Sequence, residues 1–211
     1  MPSHFFITGT DTGVGKTVAS ALLCAALDAI YWKPIQTGSR EGTDRSTVMR
    51  LAGMCRDQTI VEIYCFAPPV SPHLAARLAG RRIDLRKIRL PKLAAATALI
   101  VEGAGGVLVP LNEKQLMTAL IRRLKLPVLL VARTALGTIN HTLLSLAALR
   151  AASVDIRGVI IVGKANMENR KAIEHYGSVN VVGFIPPLKK LNRDALLKTY
   201  QNHFDRRAVT L

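Results

Sequence analysis

Short, nearly unbroken apolar runs alternate with longer amphipathic stretches along this chain of 211 residues. The apolar runs fall at residues 5–9, 31–34, 98–102, 128–132, 158–162 and 181–185. Each has the length of a strand and lacks the strict polar–apolar alternation of a half-exposed one. That pattern predicts strands buried on both faces of a mostly parallel sheet. Helix-like stretches lie between them at 16–27, 45–53, 72–79, 114–124, 140–151 and 168–175, and another at 192–204 follows the last strand. The predicted fold class is α/β: a doubly wound, mostly parallel sheet flanked by helices, organised as a single domain over 1–211. Such sheets bind ligands beyond the carboxyl ends of their strands. Glycine and polar residues gather just after several of the predicted strand ends.

The first strand runs into Gly9-Thr10-Asp11-Thr12-Gly13-Val14-Gly15-Lys16-Thr17, and an apolar helix follows at once. Strand, glycine-rich turn, Lys-Thr and helix are the parts of a P-loop in their required order. A turn of this kind lets successive backbone N–H groups converge on a phosphate, and the helix N-terminus adds its dipole. Lys16 can bridge the outer phosphates, and the Thr17 hydroxyl can hold Mg²⁺. Gly9 lies one residue too early for the strict spacing, so Thr10 stands where the first glycine is expected. Asp11 occupies the position that carries an extra lysine in the partitioning and nitrogenase-iron-protein type of ATPase, which argues against that type.

Three more groups are placed to act on the same phosphates. Lys33, in Lys33-Pro34-Ile35-Gln36-Thr37-Gly38, ends the second predicted strand and can neutralise charge that develops during phosphoryl transfer. Thr37 either binds a substrate or caps the turn. Glu102 ends the third predicted strand, where an unpaired carboxylate is costly unless it holds a cation. Asp44 opens a helix after a polar loop at 39–45; it is either a second Mg²⁺ ligand or that helix's N-cap. Residues 103–106, Gly-Ala-Gly-Gly, read as a flexible loop whose backbone can approach a ligand closely. The segment 136–140 precedes a helix with free N–H groups that can hold a carboxylate, unless Thr138 or Asn140 merely caps it.

These blocks together resemble the dethiobiotin synthetase family. The resemblance rests on Gly9-Thr10-Asp11-Thr12 with Gly15-Lys16-Thr17, Lys33-Pro34 with Thr37-Gly38, Asp44 and Ser71-Pro72-His73. It continues through Glu102-Gly103-Ala104-Gly105-Gly106 with Pro110-Leu111, Gly137 with Asn140-His141, and Gly183 with Ile185-Pro186. It implies a cytoplasmic homodimer that uses ATP and Mg²⁺ to join CO₂ to 7,8-diaminononanoate and close a ureido ring, through a carbamate and a carbamic-phosphoric anhydride. It assigns catalysis to Thr12, Lys16 and Lys33, and Mg²⁺ to Thr17, Asp44 and Glu102. Nucleotide contacts fall to Asp11 through Val18 (Gly13, Val14 and Gly15 among them), to Glu102, Gly103, Gly105 and Gly106, and to Gly163, Pro186, Pro187 and Leu188. Thr37 would touch the diamine, and Gly137, Thr138 and Asn140 would hold its carboxylate across the dimer interface. Two departures stand out. The link between the first helix and Lys33 is short, so the chain must turn back abruptly. Where members often place an adenine-reading asparagine, this chain has Gly163, with Asn166 three residues later.

Composition adds one complication. The chain carries 29 Lys and Arg against 14 Asp and Glu, a net charge of +15. Part of the excess clusters at Arg77, Arg81, Arg82, Arg86, Lys87, Arg89 and Lys92. A P-loop switch or nucleic-acid-binding ATPase would use such a face. The stretch contains no aromatic residue for base stacking, so a solvated basic surface is expected and no nucleic-acid partner. A cobyrinate-type amide synthase shares the loops but needs a glutaminase domain for which this chain is too short. No apolar run is long enough to span a bilayer, and Cys24, Cys55 and Cys65 lack metal spacing, so reduced thiols are expected.

Overall fold

The structure, a computed structural model, describes residues 3–210. In chain order its strands are β1 His4–Gly9, β2 Ile30–Trp32, β3 Ile35–Gln36, β4 Thr59–Ile60, β5 Tyr64–Cys65, β6 Leu99–Gly106, β7 Val128–Arg133, β8 Ile156–Val162 and β9 Val181–Ile185. Its α-helices are α1 Lys16–Leu27, α2 Asp44–Ala52, α3 Pro72–Leu78, α4 Met117–Leu124, α5 Thr138–Ala151, α6 Met167–Gly177, α7 Arg193–His203 and α8 Arg206–Val209. Seven strands form one sheet in the order β4-β2-β6-β1-β7-β8-β9, and every pairing within it is parallel. The doubly wound reading holds.

Continuous apolar runs mark this sheet because both of its faces are covered. Phe5, Ile7 and Tyr31 point into the core shared with α1 and α7, whereas Phe6, Trp32 and Val101 point into the core beneath α4 and α5. Adjacent residues of one strand thus feed opposite cores, as the period of two requires. The strand order reverses beside β1, between β6 and β7. The P-loop therefore leaves β1 at the crevice where this architecture puts ligands.

The sequence reading missed three small features, one of them the four-residue helix α8. β4 adds an edge strand, and β3 pairs with β5 in a separate two-stranded ribbon. Two-residue strands carry too little periodicity to be seen, and backbone pairing alone defines them. The expected loop at 103–106 is in fact the continuation of β6. Ile7 pairs with Glu102 but Gly9 pairs with Gly106, so β6 bulges there. Gly105, at φ 68°, supplies the left-handed residue, and a Cβ on it would lie 2.6 Å from Val109 Cγ2. Bulges of this kind re-aim a strand beside a site. The expected abrupt return after α1 is made by Asp28, a left-handed C-cap that leaves only Ala29 before β2.

Candidate active site

Loop geometry at the β1–α1 junction is set by one close packing contact. Gly15 caps α1 at φ 99°, and a Cβ there would lie 2.9 Å from Val162 Cγ1 at the end of β8. Only glycine lets the loop curl and seat against β8 together. Lys16 Nζ donates to the Asp11 carbonyl at 2.7 Å, folding back over its own loop, and the Asp11 carboxylate accepts from the Thr12 N–H. Burial pulls the Lys16 ammonium down to about 8, the nearby Lys33 pushes the same way, and Glu102 and Asp44 offset part of the effect.

Asp44 is not the N-cap of α2. Thr43 holds that place in a capping box with Ser46, its hydroxyl accepting from the Ser46 N–H at 3.1 Å while Ser46 Oγ accepts from the Thr43 N–H. Asp44, at the first helical position, is thereby left free to point into the crevice. Its backbone N–H is held at 3.1 Å by Gln36 Oε1, and Gln36 Nε2 donates to the Thr37 carbonyl at 2.7 Å. One buried amide therefore ties β3, the Thr37 turn and the start of α2 together.

Four groups from four segments meet here. Lys33 Nζ lies 2.6 Å from Asp44 Oδ2 and 3.1 Å from Glu102 Oε1. Thr17 Oγ1 lies 2.9 Å from Asp44 Oδ1 and 3.0 Å from Glu102 Oε1. Glu102 Oε2 accepts from Ser20 Oγ at 2.8 Å and Tyr31 Oη at 3.0 Å. Burial works against the Lys33 charge, but Glu102 and then Asp44 outweigh it and hold the ammonium above its ordinary value. Burial likewise opposes ionisation of Asp44, and Lys33 overcomes it, so the carboxyl sits below its usual range. Two cations, Lys16 and Lys33, thus face two carboxylates.

The oxygens fit a small divalent ion. Mg²⁺ takes oxygen ligands at about 2.1 Å in an octahedron, whose adjacent ligands stand about 3.0 Å apart. Thr17 Oγ1 keeps that spacing from both carboxylates. Among the described residues no group of three or more His, Cys, Asp or Glu converges as a metal cage. A pair of carboxylates plus a hydroxyl suits an ion that keeps waters and phosphate oxygens.

These groups line a crevice of about 560 Å³, with Thr12, Gly13, Gly15, Val18, Gln36, Thr37 and Gly105 among its walls and Pro69 to Pro72 opposite. Of the other residues singled out from sequence, Gly103 offers its carbonyl 3.5 Å from Lys33 Nζ. Val14 is buried beneath the loop, and Gly106 pairs with Gly9 behind it. Gly163 donates its N–H to the Ile185 carbonyl beside the Val162 contact, and Pro186, Pro187 and Leu188 leave the neighbouring end of β9; none of these lines the crevice. Asn166 caps α6 by accepting from the Asn169 N–H, so its amide oxygen is engaged. Gly137, Thr138 and Asn140 also lie outside the crevice. Gly137 is the N-cap of α5, without any side-chain cap, and the Thr138 hydroxyl donates back to the Arg133 carbonyl, so neither Thr138 nor Asn140 caps this helix.

Sequence reasoning overlooked Ser20, Tyr31 and Gln36. Ser20 follows Thr17 by three residues, hence one helical turn along the same face, and Tyr31 precedes Lys33 by two, the strand period. Those spacings were the available signals.

A P-loop on a parallel sheet, with lysine and carboxylates gathered over its crevice, defines a nucleoside-triphosphate-dependent phosphoryl-transfer protein. Residues 3–195 match the family described as "AAA domain". The solved structures it resembles include a ParA family ATPase from Chlorobium tepidum TLS, at TM-score 0.51 and 13% identity over 94% of this chain and 90% of that one. Another is the MinC:MinD cell division complex of Aquifex aeolicus, at TM-score 0.51 and 16% identity over 93% and 86%. At such identities they speak for the fold alone. Full-length relatives are more specific. ATP-dependent dethiobiotin synthetase of Nitrobacter hamburgensis is 45% identical over 97% of this chain and 95% of its own length. That of Agrobacterium fabrum is 45% identical over 97% and 96%. The chain belongs to the ATP-dependent dethiobiotin synthetase family.

Proposed function

We propose that this protein, acting as one catalytic domain, makes dethiobiotin from 7,8-diaminononanoate, CO₂ and ATP with the help of Mg²⁺. The observation that carries the reading is the meeting of Lys33, Asp44, Glu102 and Thr17 over the P-loop within 2.6–3.1 Å. One amine of the diamine adds to CO₂ and loses a proton, giving a carbamate. A carbamate oxygen takes the γ-phosphoryl group from ATP, releasing ADP. The second amine then attacks the carbonyl carbon and gives up a proton, phosphate leaves, and the ring closes. No protein nucleophile is required; orientation and electrostatics carry the barrier lowering.

Lys16 and the P-loop N–H groups, with Thr12, bind the triphosphate. Lys33 neutralises the carbamate oxygen and the phosphoryl group passing to it. Thr17, Asp44 and Glu102 hold Mg²⁺, which would supply charge neutralisation of the phosphate oxygens. Thr37, at the other side of Lys33, contacts the diamine. Val18, Gly163 and Pro186 to Leu188 flank the base. Gly137, Thr138 and Asn140 of a second copy hold the substrate carboxylate. Two observations support that assembly. The loop does not line the crevice of its own chain, and Leu136, Leu108 and Leu144 are 101%, 56% and 61% exposed. Leu108 and Leu144 line a surface hollow with Pro110 and His141.

The test incubates purified protein with diaminononanoate, bicarbonate, Mg²⁺ and each nucleoside triphosphate in turn. Phosphate release that needs both amine and bicarbonate is the expected result, and comparison among nucleotides reads how the base flank at Gly163 selects. Release independent of the diamine would overturn the reading.

A further inference from the structure

Glu102 is gripped from behind by two residues with no role in the scheme above. Ser20 and Tyr31 are fully buried, and Glu102 is 1% exposed. Their hydroxyls donate to the same carboxylate oxygen, Oε2, at 2.8 and 3.0 Å. Oε1, by contrast, meets Thr17 Oγ1 and Lys33 Nζ. The two oxygens are thus divided between neutral donors on one side and the cation-facing crevice on the other.

That division has a physical consequence. A buried carboxylate with free lone pairs can rotate to present either oxygen, or both. Two neutral O–H donors on Oε2 fix its plane without neutralising the carboxylate, so Oε1 still presents negative charge to the crevice. A lysine or arginine behind it would have spent that charge. Ser20 comes from α1, one turn beyond Thr17, and Tyr31 from β2, so the carboxylate is registered against the helix that carries Thr17 and the strand that leads into Lys33. The tyrosine ring is core, packed with the α1-side cluster; the hydroxyl alone reaches Glu102.

We propose that Ser20 and Tyr31 are positioning residues which hold Glu102 with Oε1 facing the divalent metal. The inference rests on the reading of Thr17, Asp44 and Glu102 as the metal site. Partners of this kind, bonded to a metal ligand rather than to the metal, change metal affinity by about 10- to 100-fold when removed.

Mn²⁺ binding to the purified protein saturated with ADP, followed by electron paramagnetic resonance, tests it. Tyr31→Phe keeps the ring and deletes one oxygen, and Ser20→Ala deletes the other donor. Each should weaken Mn²⁺ about tenfold, and the pair of substitutions further, while ADP affinity in the presence of EDTA moves less than twofold. Mn²⁺ affinity within twofold of wild type in Tyr31→Phe overturns the inference. So does a parallel loss of metal-free ADP affinity, which would mean a general disturbance of the fold. Tyr31→Phe alone decides the matter if Ser20→Ala fails to fold. Thr17→Ala separates the two levels. If it leaves Mn²⁺ affinity unchanged, the metal site itself is misplaced; if it weakens Mn²⁺ while Tyr31→Phe does not, only the positioning role fails.

Discussion

At the scale of single residues, Lys33 does two jobs that pull against each other. In the crevice it is the counter-ion of two carboxylates, one of them wholly buried; in the proposed reaction its charge must serve the carbamate. Mg²⁺ at Thr17, Asp44 and Glu102 would take over the first duty. Removing one partner of a buried ion pair costs about 3–5 kcal/mol, so Lys33→Ala should lose turnover and also melt lower. About 10 °C is the expected drop for a chain of this size. Added Mg²⁺ should recover part of it, because the ion repairs the unpaired carboxylates. Thermal denaturation with and without Mg²⁺ checks this; a variant as stable as wild type in EDTA contradicts it. Lys16 gives a prediction in pH. Its charge is lost near 8, whereas a bound triphosphate favours the ammonium. Nucleotide affinity should therefore be flat below that value and weaken toward tenfold per pH unit above it. Lys16→Arg, which cannot lose its proton, should flatten the profile. Calorimetric titration across pH 6.5–9.5 reads both. The linkage to folding has the opposite sense. The folded-state value lies below the unfolded one, so Lys16 favours unfolding below about 8, and that penalty fades as pH rises toward the unfolded value.

At the scale of elements, α2 shows how a cap can serve a site. Thr43 and Ser46 satisfy the helix end, which releases Asp44 to face the crevice instead of its own backbone. Thr43→Ala should cost about 1 kcal/mol, as lost N-caps do, and should loosen Asp44 along with the first turn. A few degrees of melting temperature and a several-fold weaker Mg²⁺ dependence of phosphate release are expected together. Loss of stability without any change in metal dependence would show that Gln36 alone fixes Asp44. The β1–α1 loop is less forgiving. Gly15→Ala drives a methyl into Val162 at a backbone conformation that alanine adopts only under strain, so nucleotide binding should fail while the sheet remains folded by circular dichroism.

At the scale of the whole molecule, charge and assembly remain to be reconciled. The cationic stretch from Arg77 to Lys92 lies on the surface, and part of it is already engaged. Arg86 chelates Asp84, Arg82 pairs with Glu113, and Arg81 lies over the buried rings of Tyr64 and Phe66. Those rings pack in the core and offer no free face for a base to stack on. No helix among the described residues is long and apolar enough to cross a membrane. Assembly is predicted at the leucine-bearing hollow beside α5. Leu144→Glu should convert a dimer to monomers in sedimentation velocity and abolish turnover, since the 137–140 loop of the second copy would be lost with it. A fully active dimer would place the interface elsewhere.

Sequence alone determined the six longer strands of the sheet, their parallel sense, the seven longer helices and the phosphate loop. It could do so because each is written in local periodicity or in contiguous spacing: a strand buried on both faces is apolar throughout, and a P-loop is one unbroken segment. It also named Lys33, Asp44 and Glu102, since each falls at the end of an apolar run or the start of a helix, where the architecture puts ligands; Glu102 itself proves to lie within β6. Only the tertiary structure decided that they touch, that Asp44 is spared from capping, and that the glycines after Glu102 continue a bulged strand. Those outcomes depend on distances between residues as many as 85 positions apart, which no local pattern encodes. Ser20, Tyr31 and Gln36 escaped notice for the same reason. Serine in a helix, tyrosine in a strand and glutamine near a turn are unremarkable until folding brings a buried carboxylate or a helix end against them.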